Sequence, residues 1–291
     1  MNKLKIICDG DSWVFGCEIV DPNIISKYDK DIYVGRYDYL EENDNYRIPR
    51  IFSSYIKEKM NVDIVNLSWP ADDNGTILNR IMTYITKEYI NKKISTDDIF
   101  VIVGWSSPER NFFWYKDEKI SHRFRLWPQV PIFETQYQKE FWELYVTYLW
   151  NPEEYIPRYV MNVLQFQNFC NSNNIKWLCF NSFYQVPGKS PSEWFDLDIK
   201  SELIKLKMDG TSYYDSNKNG RCYHSYEYLS MWNLIDDTRF YKKDMLNNTF
   251  KSFIEEKNIT PVYNGWHPSP ESHEIWAEEI IEYINKNNLI K

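Results

Sequence analysis

A serine near one end of the chain and a histidine near the other are the residues whose types suit nucleophilic chemistry. Ser12 ends the tetrapeptide Asp-Gly-Asp-Ser that begins at Asp9, and His267 lies in the segment Asn-Gly-Trp-His-Pro that begins at Asn264. A hydroxyl becomes a nucleophile when a neighbouring base takes its proton, and histidine is the side chain that titrates near neutrality. Taken alone, Asp11 or Ser12 is equally well explained as the cap of the following helix.

Two other segments follow predicted strands and carry polar residues. Residues 65–74 read Val-Asn-Leu-Ser-Trp-Pro-Ala-Asp-Asp-Asn, and residues 104–110 read Gly-Trp-Ser-Ser-Pro-Glu-Arg. In an open parallel sheet, ligands bind beyond the carboxyl ends of the strands, so these segments belong near Ser12. The first segment also suits a plain strand-to-helix loop capped by Asp72 or Asp73. In the second, Arg110 suits either a substrate anion or sugar hydroxyl, or a surface ion pair.

The Gly-Asp-Ser turn, together with a histidine before the last helix, resembles the SGNH (GDSL-like) hydrolases. In that family the serine attacks an ester carbonyl, the histidine takes its proton, and an acid three residues before the histidine orients the imidazole. The resemblance therefore implies that Ser12 is the nucleophile and His267 the general base. It places Asn264 where the family has the acid.

The same resemblance implies an oxyanion hole and its neighbours. The hole would consist of the backbone N–H groups of Ser12 and Ala71 and the side chain of Ser106, where the family has serine, glycine and asparagine. A backbone donor survives the change to alanine if the dihedral angles suit an L-residue, whereas a serine hydroxyl is a less preorganised donor than an amide. The candidate substrate contacts are Asp11, Asn74, Trp105, Arg110 and Trp266.

The change of the family acid to Asn264 bears most strongly on activity. An amide holds an imidazole without the negative charge that stabilises the imidazolium, and in serine proteases the equivalent change lowers turnover about ten-thousandfold. A backbone carbonyl, or a carboxylate such as Asp236 or Asp237, would then have to supply the missing partner.

Two classes of function remain. The first is an esterase that removes a short acyl group, such as acetyl, from a glycan or small ester, or an acyltransferase that uses the same serine. The second is a binding or structural protein of this fold with weak or no catalysis. The presence of both Ser12 and His267 favours the enzyme, because a scaffold needs neither residue at these positions.

The elements that position these residues alternate along the chain. Short apolar runs at 4–8, 62–67, 99–103 and 175–180 predict buried strands, and stretches at 49–60, 76–91, 157–171 and 270–287 predict helices. Such alternation predicts an α/β fold with a three-layer, doubly wound parallel sheet, the flavodoxin-like arrangement of SGNH hydrolases.

We expect residues 1–291 to form one domain, with aromatic-rich insertions at about 106–154 and 185–244. Trp114 and Trp127 in the first insertion suit a sugar or acyl platform, or an oligomer interface.

The amino-acid composition limits the kinds of molecule that the protein is expected to bind. The net charge of −8 with scattered basic residues disfavours nucleic acid, and no apolar run is long enough to span a bilayer. Five cysteines without Cys-x-x-Cys spacing suggest buried thiols, and no metal or other cofactor is expected. The N-terminus does not resemble a signal peptide, so a cytoplasmic location is expected, with virion association if the protein belongs to a phage.

Overall fold

The apolar runs of the sequence form the sheet at the centre of the molecule. The computed structural model describes residues 4–27, 34–116, 121–126, 136–148, 152–183, 231–243, 248–259 and 267–290. Its strands are β1 Lys5–Gly10, β2 Asp63–Asn66, β3 Ile99–Trp105, β4 Asn111–Lys116, β5 Ser121–Leu126 and β6 Lys176–Asn181. The four predicted strands are β1, β2, β3 and β6, and they pair in the order β2-β1-β3-β6, all parallel. The predicted doubly wound parallel sheet is thus confirmed.

Helices cover both faces of this sheet. They are α1 Ser12–Phe15, α2 Pro22–Lys27, α3 Glu41–Arg47, α4 Phe52–Met60, α5 Asn74–Ile85, α6 Gln136–Tyr148, α7 Pro152–Ser172, α8 Phe250–Glu256 and α9 Pro270–Lys286. Short 3₁₀ turns span Val34–Tyr39 and Ile48–Arg50, and a π turn at Thr86–Ile90 continues α5. Within the described ranges no helix has the length and apolar character needed to cross a membrane.

Alternate residues of the strands face two separate cores. Ile7, Val101 and Trp177 pack under α5 and α7, whereas Ile6, Phe100 and Leu178 pack under α4 and α9. A strand buried on both faces must be apolar throughout, which explains why these strands appear as continuous apolar runs in the sequence.

The helix boundaries depend on caps. Helix α5 begins at Asn74, two residues before the predicted start, because the Asp73 side chain caps it by accepting the Thr76 N–H. Helix α7 begins at Pro152 and contains Pro157, which was predicted to be its first residue. The final helix begins at Pro270 as predicted, with Ser269 as its cap.

The two predicted insertions are described only in part. The first contains the antiparallel pair of β4 and β5, followed by α6. Trp127 and most of the second insertion, residues 185–230, lie outside the described residues. Cys8, Cys17, Cys170 and Cys179 are buried free thiols, while Cys222 lies outside the described residues.

Candidate active site

Ser12 lies at the carboxyl end of β1, on the first turn of α1. The Asp11 side chain caps this helix by accepting the Trp13 N–H at 3.0 Å. The turn is tightly packed: a Cβ atom at Gly10 would lie 2.3 Å from a methyl group of Val14. Glycine is therefore required before the Asp-Ser pair, where the backbone turns from β1 into α1.

His267 reaches Ser12 from the far end of the sequence. Its Nε2 atom lies 3.0 Å from Ser12 Oγ, which is hydrogen-bonding distance. The histidine directly precedes α9, whose start is fixed by Pro270 and by the Ser269 side chain that accepts the Ser272 N–H. The structure therefore brings together the two residues predicted to be nucleophile and base.

The other imidazole nitrogen faces a carboxylate that the sequence analysis did not identify. His267 Nδ1 lies 3.2 Å from Glu18 Oε1, and the Glu18 side chain is only 3% exposed. The contact is at ion-pair distance, but the N–H direction is not aligned for a linear hydrogen bond. Such bonds are often loosely aligned in ligand-free sites and tighten around substrate.

The backbone at Glu18 adopts an uncommon conformation that is held by Asp38. Glu18 has a φ of 67°, in the left-handed region, and its N–H donates to Asp38 Oδ1 at 2.8 Å. The Cys17 thiol also hydrogen bonds to Asp38, whose pKa burial raises to about 6. Non-glycine residues in this region often lie at functional sites, where surrounding contacts maintain the strain.

Among the described residues, neither Asp236 nor Asp237 contacts His267. Asn264 and Trp266 lie outside the described residues. Asp237 is 77% exposed and pairs with Lys243, and Asp236 accepts the Thr238 N–H. The carboxylate beside the imidazole is therefore Glu18.

A sign of Glu18 was present in the sequence. It is the only charged residue in residues 13–20, Trp-Val-Phe-Gly-Cys-Glu-Ile-Val. A carboxylate in such an apolar run becomes buried with its neighbours and then needs a cationic or hydrogen-bonding partner. Nothing in the sequence indicates that this partner is His267, because the two residues meet only in the folded protein.

Ala71 lies in a turn whose geometry normally requires glycine. Its φ is 65°, and the turn follows Pro70. Proline before a residue of positive φ is typical of a type II turn. The Trp69 N–H donates to the Gly10 carbonyl at 3.2 Å, which ties this loop to the strand that leads to Ser12.

Asn74 and Ser106 hold the second and third loops together. The Asn74 side chain accepts the Ser106 N–H at 2.7 Å and donates to the Ser106 carbonyl at 3.0 Å. Because its amide is used in this way, Asn74 positions the loop after β3. The Ser106 hydroxyl accepts from Arg110 at 3.1 Å and also contacts Asp11, whose pKa burial raises.

Arg110 pairs with Asp11, the residue before Ser12, whereas the Trp105 side chain is buried in the core. The guanidinium of Arg110 lies 3.7 Å from Asp11 Oδ2 and 4.5 Å from the centre of the Phe183 ring. Both side chains are almost fully buried. Trp105 is 0% exposed and packs edge-to-face against Phe166 in the core, a position that favours a packing role over substrate contact.

An exposed aromatic pair adjoins the segments that carry Asp38 and Ala71. The rings of Tyr39 and Trp69 are 5.7 Å apart, with 54% and 49% of each residue exposed. Tyr39 follows Asp38, which holds Glu18, and Trp69 precedes the turn at Ala71. This pair was not identified from the sequence, where the aromatic platform was placed in the first insertion.

Comparison with known proteins gives similarity to solved structures only, since no family model and no curated protein matches the chain. A psychrotrophic esterase, EstA, from Pseudoalteromonas sp. is 10% identical, with 97% of each chain covered and a TM-score of 0.46. A GDSL-like lipase from Bacteroides thetaiotaomicron is 11% identical, with 97% of this chain and 88% of that chain covered and a TM-score of 0.42. A family two carbohydrate esterase from Clostridium thermocellum is 11% identical, with 99% of this chain and 66% of that chain covered and a TM-score of 0.46. Similarity at this level assigns neither a residue role nor an activity.

Proposed function

We propose that this protein is a serine esterase in which Ser12 is the nucleophile, His267 the general base and Glu18 the acid that orients the base. The observation that carries the proposal is the relay of contacts: 3.0 Å from Ser12 Oγ to His267 Nε2 and 3.2 Å from His267 Nδ1 to Glu18 Oε1. Nucleophile, base and orienting carboxylate define the geometry of a catalytic triad whatever their order along the chain.

The reaction follows from these positions. Ser12 Oγ attacks the ester carbonyl carbon while its proton passes to His267 Nε2, and the carbonyl electron pair moves onto oxygen. Collapse of the oxyanion expels the alcohol, which takes the proton from Nε2 and leaves the acyl group on Ser12. Water then attacks this ester by the same route and releases the carboxylic acid. Glu18 keeps the Nδ1 proton in place and stabilises the imidazolium in both steps.

The oxyanion would be stabilised by N–H groups on two loops. The Ser12 N–H and the Ala71 N–H have no hydrogen-bond partner within the described part of the chain. Ser106 is a weaker candidate, because its hydroxyl already contacts Asp11 and Arg110. We therefore assign the main stabilisation to the two backbone donors.

The substrate we propose is a short acyl ester, such as an acetyl ester, of a glycan or a small molecule. The exposed rings of Tyr39 and Trp69 offer apolar faces on which a sugar ring can stack. A net charge of −8 suits a neutral substrate better than a polyanion. Transfer of the acyl group to a sugar instead of water would use the same Ser12 ester.

A protein that only binds is the competing proposal, and the buried carboxylate argues against it. Glu18 lies in a strained backbone conformation with its side chain almost fully buried against His267. Strain and burial of a charge both oppose folding, so a scaffold would gain nothing from the arrangement.

Turnover of p-nitrophenyl acetate and of an acetylated xylo-oligosaccharide tests the proposal. We expect Ser12→Ala to lower kcat by a thousandfold or more on both substrates, on the order seen when a catalytic serine is removed. The matched control is Ser26→Ala, the same change at an exposed serine of α2. A Ser12→Ala variant that folds and retains the wild-type kcat would refute the nucleophile.

A further inference from the structure

Arg80 on α5 makes several contacts with the strand that leads to Ser12. Its Nε atom lies 3.1 Å from both oxygens of Asp9, and a terminal nitrogen donates to the Gly10 carbonyl at 3.1 Å. Another short contact joins the guanidinium to Asp9 Oδ1. Asp9 and Gly10 lie three and two residues before the nucleophile. Movement of Arg80 would therefore displace the end of β1.

The same guanidinium also holds the loop that carries Ala71. Its other terminal nitrogen forms a short ion pair with Asp72, the residue directly after Ala71. The Gly10 carbonyl receives the Arg80 donor and the Trp69 N–H together, so the two loops meet at one oxygen atom. Arg80 thus bonds to Gly10, two residues before Ser12, and to Asp72, directly after Ala71, and so links the segments of both proposed backbone donors.

Because Asp9 and Asp72 are buried, the positions of their carboxylates depend on the positive charge of Arg80. Asp9 and Asp72 are 0% exposed, and the Arg80 side chain is 24% exposed. Burial raises the pKa of Asp9 above its usual range, and Arg80 opposes this effect. Without the guanidinium, the two buried carboxylates would repel each other more strongly, and the loop at Asp72 would move away from β1.

The shape of the arginine side chain matters as well as its charge. A guanidinium can bond to two carboxylates and a carbonyl in one plane, whereas a lysine ammonium cannot span all three in fixed geometry. The backbone of Ala71 is in the left-handed region, so its N–H direction depends on the loop being held at both ends.

We propose that Arg80 is a positioning residue that sets the distance between the Ser12 and Ala71 N–H groups by bonding to Asp9, Gly10 and Asp72 at once. It does not touch the reacting atoms. The proposal rests on the esterase function proposed above, and it assigns to α5 a part in stabilising the oxyanion.

Kinetics of Arg80→Lys and Arg80→Met with p-nitrophenyl acetate test this role. We expect Arg80→Met to lower kcat about a hundredfold with little change in KM, because an oxyanion donor acts only in the transition state. Arg80→Lys should recover only part of this loss. Arg239→Met is the matched control: that arginine also pairs with an aspartate and a backbone carbonyl, at Asp236 and Trp177, and its loss should leave kcat within twofold.

Two further variants separate positioning from stability. Asp72→Asn should also lower kcat, and the double variant with Arg80→Met should lose little more than either single change, because both remove the same link. Equal kcat in wild type and folded Arg80→Met, or additive losses in the double variant, would overturn the proposal. If Arg80→Met fails to fold, the kcat of Asp72→Asn alone tests the proposal, and an unchanged kcat would overturn it. Absence of Ser12-dependent turnover in the wild type would instead overturn the esterase function and this role together.

Discussion

At the scale of single residues, the sequence did not allow us to predict which carboxylate lies beside His267. Family spacing pointed to Asn264, an amide, and the resulting dyad would lack a charge beside Nδ1. In the structure the Glu18 carboxylate, from the segment after α1, lies 3.2 Å from that nitrogen. Ser12 and His267 were predictable because each lies in a short recognisable motif, whereas the partnership of Glu18 depends on a turn held by Asp38.

Glu18→Gln tests this partnership. The amide has nearly the same size but no charge, so it no longer stabilises the imidazolium and permits the wrong tautomer. We expect kcat on p-nitrophenyl acetate to fall by on the order of a thousandfold with KM nearly unchanged. Steady-state kinetics at constant pH measure both constants.

Two companion variants make the result specific. Glu58→Gln, the same change at an exposed residue of α4, should leave kcat unchanged. Asn264→Asp should not raise kcat, because Glu18 already faces Nδ1. A wild-type kcat in Glu18→Gln, or a large gain in Asn264→Asp, would assign the acid role elsewhere.

At the scale of secondary-structure elements, the strands were predictable and the loops between them were not. β1, β3 and β6 are buried on both faces and therefore consist of apolar residues that stand out in any sequence. The positive φ at Ala71 and the paired hydrogen bonds of Asn74 to Ser106 arise from contacts between loops that are distant in sequence. Such contacts cannot be predicted from the composition of either loop.

Ala71→Gly tests the geometry of the loop after β2. An L-residue at a φ of 65° is strained, and glycine adopts this region freely. We expect the variant to raise the free energy of unfolding by about 1 kcal/mol and to keep kcat within twofold, because the backbone N–H remains. Urea denaturation and ester turnover are the measurements.

The control for this change is the other alanine of the chain. Ala277 lies inside α9 and is buried, so Ala277→Gly should lower the free energy of unfolding by about 1 kcal/mol or more. Destabilisation by Ala71→Gly to a similar degree would show that Ala71 does not occupy a glycine-like turn.

At the scale of the whole molecule, several acidic side chains, among them Asp38 and Glu109, are buried in the loops around the candidate site. Burial raises the pKa of Asp38 to about 6 and that of Glu109 to about 7, although Ser107 donates to the Glu109 carboxylate. An acid with a raised pKa binds its proton more tightly in the folded state. Its contribution to stability is therefore present below its ordinary pKa and is lost as the pH rises through the raised value.

Asp38→Asn tests how much the titration of one of these acids contributes to the pH dependence of stability. The asparagine oxygen can still accept the Glu18 N–H, but it carries no titrating proton. We expect the wild type to lose about 2 kcal/mol more stability than the variant as the pH rises from about 4 to about 7. Thermal or urea unfolding across this range gives both curves, and parallel curves would contradict the role of Asp38.

The fold was predictable from the sequence to a greater degree than the chemistry. Alternating apolar runs determine the order of strands and helices, and hence which loops share one edge of the sheet. The site is assembled at that edge from segments near both ends of the chain, and its fine geometry depends on side chains such as Arg80 and Asp38 that bond across loops.

Covalent labelling by a fluorophosphonate, with the modified residue located by peptide mass spectrometry, tests whether Ser12 is an activated nucleophile. The reagent reacts with a serine that a neighbouring base has activated, so we predict one adduct, on Ser12, in the wild type. Labelling should be lost in His267→Ala and strongly slowed in Glu18→Gln, with all three proteins folded. An unlabelled wild type, or an adduct on another serine, would show that Ser12 is not the nucleophile.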